Sequence, residues 1–327
     1  MMATSDTEIA TATSGCVNLS ACIKYVTVEG VYRSVFDFDA LQHSVRLLTQ
    51  TLEQTIDRGY YPETVPEIRA FAVKHRPIVV GVHGLADVFA MLQLPWESEA
   101  AQMINYQIAE AVYYASTHES MVLAQRRKSY TSFPNSPLFK GLLSQDTWIQ
   151  EEISRRCEQP RPDGTVDVVA IANEIGARYA RYARVSPEMW DALRTEIKVY
   201  GVRHSLRTGC IADVSSAAVM DCSPGREPVG RCIQADLFDS TVTIPNRYMI
   251  VDMKSGSSPL RVEQIYKSPY EIRQSVLLRY AIDAGRFVDH AEPRQLYLRQ
   301  PTINVLTTYL FQAWLGGIKT ALYRLRT

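Results

Sequence analysis

No stretch of this chain contains the roughly 18–20 consecutive apolar residues that a membrane-spanning helix needs. Met1 to Ser14 is rich in Thr, Ala and Ser and has no apolar core, so it does not read as a secretory signal. An excess of one charge is missing too. Lys and Arg total 35 and Asp and Glu total 35, which excludes a global basic field able to draw nucleic acid or an acidic membrane. The six cysteines, at positions 16, 22, 157, 210, 222 and 232, include no Cys-x-x-Cys pair and no His at zinc-ligand spacing. No metal centre, cofactor site or hydrolase motif is therefore expected, and the thiols read as free in a reducing, cytosolic compartment.

What the chain does have is 46% hydrophobic residues over 327 positions, enough for a sizeable core in one large domain or two small ones. Ile78 to Val82 is a β-branched run interrupted by Gly81. Gly84 then turns the chain, and Leu85, Val88, Phe89 and Leu92 recur at helical spacing. A buried strand feeding a helix is expected here, and it organises the rest.

Upstream, Leu41, Val45, Leu48, Leu52 and Ile56 mark one face of a helix running from Asp39, its expected N-cap, to Gly59. Tyr60 to Arg76 reads as a polar connector. Downstream, Pro95 to Ser98 introduces a long helix to about Gln125, with Ala101, Ile104, Ile108, Ala111, Val112 and Ala115 as its stripe. Arg126, Arg127 and Lys128 read as a solvated cap rather than a phosphate site. The turn Arg161-Pro162-Asp163-Gly164 precedes an amphipathic helix from Val166 to Arg184 that carries Tyr179 and Tyr182. Ser186-Pro187 starts a helix that Gly201 stops, Val202 to Leu206 reads as a strand, and Cys210 to Gly230 as a loop. Ser268-Pro269-Tyr270-Glu271 reads as a helix start, Thr302 to Trp314 as a last helix and Leu322 to Leu325 as a final strand. Strands alternating with helices predict an α/β architecture.

The run Pro77-Ile-Val-Val-Gly-Val-His-Gly-Leu-Ala-Asp87 closely resembles the strand-to-helix turn in the barrel of the class I ribonucleotide reductase large subunit, with His83 where that family has Gln. Tyr130, Ser136-Pro137, Gly141 and Asp146-Thr-Trp148 resemble a second family stretch, and Val202-Arg-His-Ser-Leu206 a third, with His204 replacing Asn. The resemblance covers nearly all of the chain outside an inserted helical segment at about 151–184, and it corresponds to the C-terminal part of the family's chain. It implies one barrel domain over residues 1–327, about half of the family's ten-stranded α/β barrel, with surface helices. Half a barrel exposes apolar edges, so a longer polypeptide or a paired homo-oligomer is expected.

Family members make deoxynucleotides by radical chemistry, and the resemblance places each of their functional positions on this chain. Their Asn-Leu-Cys-x-Glu-Ile loop is matched by Thr4-Ser-Asp6-Thr-Glu8-Ile9, which puts Asp6 where the radical cysteine stood. A carboxylate with an ordinary pKa of about 3.9 has no proton to exchange with a radical at neutral pH. Their reducing cysteine falls on Val17, with Cys16 one residue earlier; in extended chain that shift is expected to turn the thiol away from the site. Their substrate-diphosphate loop falls on Ala212, Asp213, Val214, Ser215 and Ser216. Such a loop binds phosphate through backbone N–H groups and hydroxyls. At ~4 Å and an effective dielectric near ~20, a carboxylate there costs about 4 kcal/mol against an anion, or roughly three decades of affinity. Arg226-Glu227-Pro228 keeps the frame of that site. The paired tyrosines of the radical path become Tyr323 and Arg324, and a guanidinium cannot relay a hole as a phenol does.

The pattern is similar to the betaherpesvirus (cytomegalovirus-type) branch, whose members are catalytically inactive, associated with the virion tegument, and linked to interference with host inflammatory and cell-death signalling. The resemblance implies a pseudoenzyme of the host cytoplasm and tegument with no catalytic residue and no cofactor. It would act through host or viral protein partners, with residues 151–184 and the Gly209 to Gly230 loop as contact surfaces and no nucleic-acid or membrane partner. Two alternatives stay open: part of an active reductase completed by another chain, and a non-catalytic nucleotide-binding module.

Overall fold

An N-terminal arm leads into β1 (Thr13–Asn18) and then an antiparallel hairpin of β2 (Ile23–Val28) and β3 (Val31–Phe36). The structure is a computed structural model, and it describes residues 4–158, 167–211, 213–237, 240–291, 295–320 and 324–327. Helix α1 (Phe38–Arg58) buries Leu41, Val45, Leu52 and Ile56 and ends on Gly59, as the spacing predicts. Its N-cap is Asp37 rather than Asp39, because the Asp37 carboxylate accepts the amides of Asp39 and Ala40. The expected connector contains a further helix, α2 (Pro66–His75), started by Pro66 at its first position.

Next comes β4 (Ile78–His83), then Gly84 in the left-handed region at φ 85°, then α3 (Leu85–Met91). Only glycine takes that backbone without strain, so the strand turns into the helix within one residue. The long helix α4 (Glu99–Arg127) is capped by Ser98, whose side chain accepts the Ala101 amide.

Three helices follow: α5 (Ser144–Cys157), α6 (Val168–Ala180) and α7 (Pro187–Tyr200). The expected turn at 161–164 lies outside the described residues. The Cys210 to Gly230 loop contains a short helix, α8 (Val214–Val219), and leads to a hairpin of β5 (Cys232–Leu237) and β6 (Ser240–Pro245). After α9 (Arg247–Lys254) and α10 (Pro259–Ile265) comes α11 (Gln274–Gly285).

That helix starts later than Ser268 predicts. A capping turn does form, with the Ser268 amide donating to the Glu271 carboxylate at 2.7 Å. It does not propagate, because the Gln274 side chain takes the carbonyls of Pro269 and Ile272. The chain closes with β7 (Gln295–Tyr297), α12 (Ile303–Leu315) and β8 (Arg324–Arg326).

β1 and β4 pair in parallel, with Cys16 opposite Gly81 and Asn18 opposite His83. The next partner of β4 is the stretch from Leu206 to Gly209, which overlaps only the last residue of the expected 202–206 strand. The Ile78 amide donates to Leu206 O and the Val80 amide to Arg207 O, while Gly209 donates back to Val80 O. β7 and β8 also pair in parallel. Parallel neighbours joined through helices make this the barrel portion that the resemblance implies.

One face of β1 and β4, carrying Val17, Ile78, Val80 and Val82, packs with α1, α3 and α4 into the main core. The inserted segment builds a second core. There Ile175, Tyr179, Tyr182 and Val185 are buried against α4, and Tyr179 stacks on Tyr106 with ring centroids 5.8 Å apart.

The two halves of α1 and α4 are tied by one buried carboxylate. Glu53, 1% exposed, accepts from Arg76 Nη2 at 2.8 Å, Arg203 Nε at 2.7 Å and His204 Nε2 at 3.0 Å. Ser120 of α4 completes the arrangement. Its oxygen accepts the amides of Arg203 and His204, each at 3.0 Å, which leaves its hydrogen for His204 Nδ1. His204 is thereby held neutral with the proton on Nε2.

Burial alone would raise the Glu53 pKa. The bonds from His204 and Arg203 and the charge of Arg76 outweigh it and hold the carboxyl at about 2, against an ordinary 4.5. A carboxyl depressed on folding contributes stability that is complete above pH 4.5 and is lost as the pH falls toward 2, here about 3 kcal/mol. Burial lowers the pKa of His204, so its contribution also fades on acidification. Glu53→Gln strands two guanidinium groups and is expected to cost about 3–5 kcal/mol in urea denaturation at pH 7, with a flatter stability profile between pH 4.5 and 2 than the parent chain. A variant within about 1 kcal/mol of the parent would contradict the ionised hub.

Candidate functional site

At its C-terminal end β4 delivers His83 and Gly84, and the Gly209 to Gly230 loop folds back over this end. Hydrogen bonds hold it there. Gly84 N–H donates to Ser223 O at 2.7 Å, and Ser223 N–H to Asp87 Oδ2 at 2.6 Å. Gly225 N–H donates to His83 Nδ1 at 2.7 Å, and Asn18 Nδ2 to Met220 O at 3.1 Å. The pairing geometry of β1 and β4 thus decides where the loop sits. Asp87 is not among the functional positions expected from the sequence; the signal for it is an acidic residue in the first turn of the helix that follows Gly84.

His83 is completely buried, and its two nitrogens are committed in opposite senses. Nδ1 accepts from Gly225, so the proton lies on Nε2, which donates to Ser216 Oγ at 2.9 Å. The Ser216 hydroxyl in turn donates to Asp213 O at 3.3 Å. Burial lowers the His83 pKa, in keeping with a neutral ring.

Asp213 caps α8. Its two carboxylate oxygens accept the Ser215 amide at 3.0 Å and the Ser216 amide at 3.3 Å. Hydrogen bonds from Ser216 and the Ser215 amide keep the carboxyl below its usual range, so it is ionised at neutral pH. The Ser215 and Ser216 amides are therefore filled by the Asp213 carboxylate and the Ser216 hydroxyl by the Asp213 carbonyl. Ala212 lies outside the described residues. Glu227, in the retained Arg226-Glu227-Pro228 run, meets the Tyr297 hydroxyl at 3.4 Å.

The thiols need a correction. Cys16 does not turn away from this loop; it lies on the same face as His83, because β1 and β4 are in parallel register and Cys16 pairs with Gly81. A Cβ at position 81 would stand 2.9 Å from Cys16 Sγ, so any side chain there would displace the thiol. Val17 points the other way, into the core. Burial, with Cys210, Asp213 and Cys222 nearby, pushes the Cys16 thiol up to about 12. Cys222 is pushed up to about 11, first by burial and then by Asp87. Such thiols stay protonated at neutral pH and are poor nucleophiles.

Thr4, Asp6 and Glu8 are not brought to this group. Thr4 and Asp6 lie in an exposed turn, and Glu8 binds Lys74 at 2.5 Å and His75 at 3.0 Å at the end of α2. That end precedes β4, whereas the loop follows it, a separation of roughly 16 Å along a six-residue strand. Arg324 is exposed on β8, and Tyr323 lies outside the described residues. Among the described residues no group of three His, Cys, Asp or Glu side chains could hold a metal, and no helix is long and apolar enough to cross a membrane.

Fold and site together define a portion of a parallel α/β barrel with a capped loop at the C-terminal end of its strands. The family model described as "Ribonucleotide reductase, barrel domain" matches residues 1–324, and the chain belongs to that family. It is similar to ribonucleoside-diphosphate reductase large chain 2 of Saccharomyces cerevisiae, 30% identical over 315 residues covering 89% of this chain and 32% of that protein. The large chain of Neurospora crassa is 28% identical over 98% of this chain and 33% of its own length. The large subunit of Danio rerio is 28% identical over 99% of this chain and 38% of its own length. The chain thus spans about a third of the length of these curated relatives.

Two measurements check the site. Maleimide labelling at pH 7.5 followed by mass mapping is expected to modify the exposed Cys232 well before Cys16, Cys22 and Cys222. Rapid labelling of Cys16 would contradict the buried thiol. His83→Leu, which orphans the Gly225 amide, is expected to destabilise the fold by about 1–3 kcal/mol, whereas His83→Gln, able to accept and donate, costs less.

Proposed function

We propose that this ribonucleoside-diphosphate reductase large-subunit-like chain is non-catalytic and works through protein contacts, as a viral pseudoenzyme of the betaherpesvirus type located in host cytoplasm and virion tegument. The observation that carries the reading is Asp213, whose carboxylate takes the Ser215 and Ser216 amides where a substrate phosphate would sit. The capped hydroxyl of Ser216, the protonated thiol of Cys16 and the charged Arg324 support it. Asp6 adds nothing, since it lies on the exposed arm.

Host or viral proteins are the proposed partners, with interference in host inflammatory or cell-death signalling as the proposed role. The inserted segment spends its aromatic face on the second core, and Val168 and Val169 are the large apolar residues it leaves exposed for a contact among the described residues. The second reading, part of an active reductase completed by another chain, is favoured by one fact: the chain spans about a third of the curated relatives, themselves named as reductases.

Turnover and binding separate the readings. Nucleoside diphosphate reduction by the chain with a reductase small subunit is expected to be undetectable, and calorimetric titration with nucleoside diphosphates is expected to give no binding tighter than about 1 mM. Turnover would overturn the non-catalytic reading. Submillimolar binding without turnover would favour a nucleotide-binding module and contradict the role given to Asp213.

A further inference from the structure

Between the β2–β3 hairpin, the end of α3 and the helices α9 and α10 lies a cleft of about 430 Å³. Small-molecule sites occupy about 300–1,000 Å³, so the space suits an organic ligand rather than a single ion. One wall is apolar, with Ala90 and Met91 from α3 and Val251 from α9. Two rings line it as well, Tyr25 from the hairpin and Tyr248 from α9. Tyr25 pairs with Ser34 across the hairpin and both line the cleft, so one face of the hairpin looks into it. Tyr25 is 67% exposed and Val251 62%, which leaves large side chains uncovered on both sides.

Among the described residues the charged side chains that line the cleft are Asp252 and Arg261, one of each sign. They do not pair with each other, because Gln93 stands between them. Its Nε2 donates to Asp252 Oδ2 at 2.6 Å and to Ala90 O at 3.0 Å, and its Oε1 accepts Arg261 Nε at 3.2 Å. The Tyr266 hydroxyl also donates to Asp252 Oδ2, at 2.5 Å. Asp252 Oδ1 and both Nη groups of Arg261 are left without a partner among the described residues. Gln93 is itself fixed, on the left-handed backbone at φ 57° that closes α3. The remaining polar side chains carry hydroxyls, on Tyr25, Ser34, Tyr248, Ser255 and Ser257. A hydroxyl donates or accepts and so does not select a charge.

The charged pair does select. A lone cation would meet Arg261 and a lone anion would meet Asp252. A matching ligand brings a cation to Asp252 Oδ1 and an anion to the Nη groups, and is neutral overall. A carboxylate takes two parallel bonds from a guanidinium, and an ammonium donates to a carboxylate oxygen. An α-amino acid carries both groups on one carbon, and its side chain is then free to lie on the apolar wall. A ring there gains stacked or edge contacts with the two tyrosines.

We propose that this cleft binds a free aromatic α-amino acid as its zwitterion, with the ammonium on Asp252, the carboxylate on Arg261 and the ring against Tyr25, Tyr248 and Val251. The site shares no residue with the loop over β4, so it stands or falls apart from the reading given to Asp213.

The test uses the full 327-residue chain and L-phenylalanine as probe, by isothermal calorimetry. Saturable 1:1 binding with a Kd below about 1 mM is expected. N-acetyl-L-phenylalanine, which lacks the ammonium, and L-phenylalanine amide, which lacks the carboxylate, are each expected to bind at least about tenfold more weakly. Asp252→Asn and Arg261→Gln, with folding checked by circular dichroism, are expected to weaken L-phenylalanine by a similar factor, about tenfold or more. Failure of the folded parent chain to bind L-phenylalanine overturns the proposal, as does either blocked analogue binding equally well. Folded variants with unchanged affinity overturn it too, and the comparison of ligands on the parent chain needs neither variant.

Discussion

A buried charge survives only when it is fully partnered, and Glu53 is the group on which that condition falls hardest. Its carboxylate joins α1 to Arg76 at the entrance of β4 and to Arg203 and His204 ahead of the next strand partner. Arg76 takes a left-handed backbone at φ 48°, and its guanidinium is held there by Glu53 and by Asp57 at 2.6 Å. The residues after His204 pair with β4 and then become the loop over its end. The position of that loop is therefore inherited from an ionic cluster at the other end of the strand.

At the loop end the same economy of polar groups holds. His83, Ser216, Asp213, Asp87 and Asn18 satisfy one another or nearby backbone, and Ser223 joins them through its amide and carbonyl while its hydroxyl is buried without a partner among the described residues. The amides at the start of α8 are filled by the chain's own carboxylate.

The inserted segment shows how packing redirects a surface reading. An amphipathic helix rich in tyrosine and arginine looks available for an outside partner. Here Tyr179 and Tyr182 join Tyr106 and Phe287, Arg286 lies 4.1 Å above the Tyr179 ring, and Glu110 accepts the amides of Arg184 and Val185. The aromatic face is spent inside the molecule, and the large apolar residues left exposed on α6 are the valines at its start.

Periodicity and turn chemistry determined the strand-to-helix unit around Gly84, the faces of α1 and α4 and the stop at Gly59, because each depends on neighbours a few residues apart. The family, too, was legible in short runs such as Pro77 to Asp87. Only the tertiary structure decided which face Cys16 shares, since that depends on its register against β4, some sixty residues later. The same holds for Glu53, Arg203 and His204, and for Arg207, Asp289 and Lys319, whose partners lie far along the chain. It holds also for the delayed start of α11, where one glutamine side chain overrode a favourable N-cap signal. Local sequence sets the backbone, and long-range pairing of buried polar groups sets which residues meet.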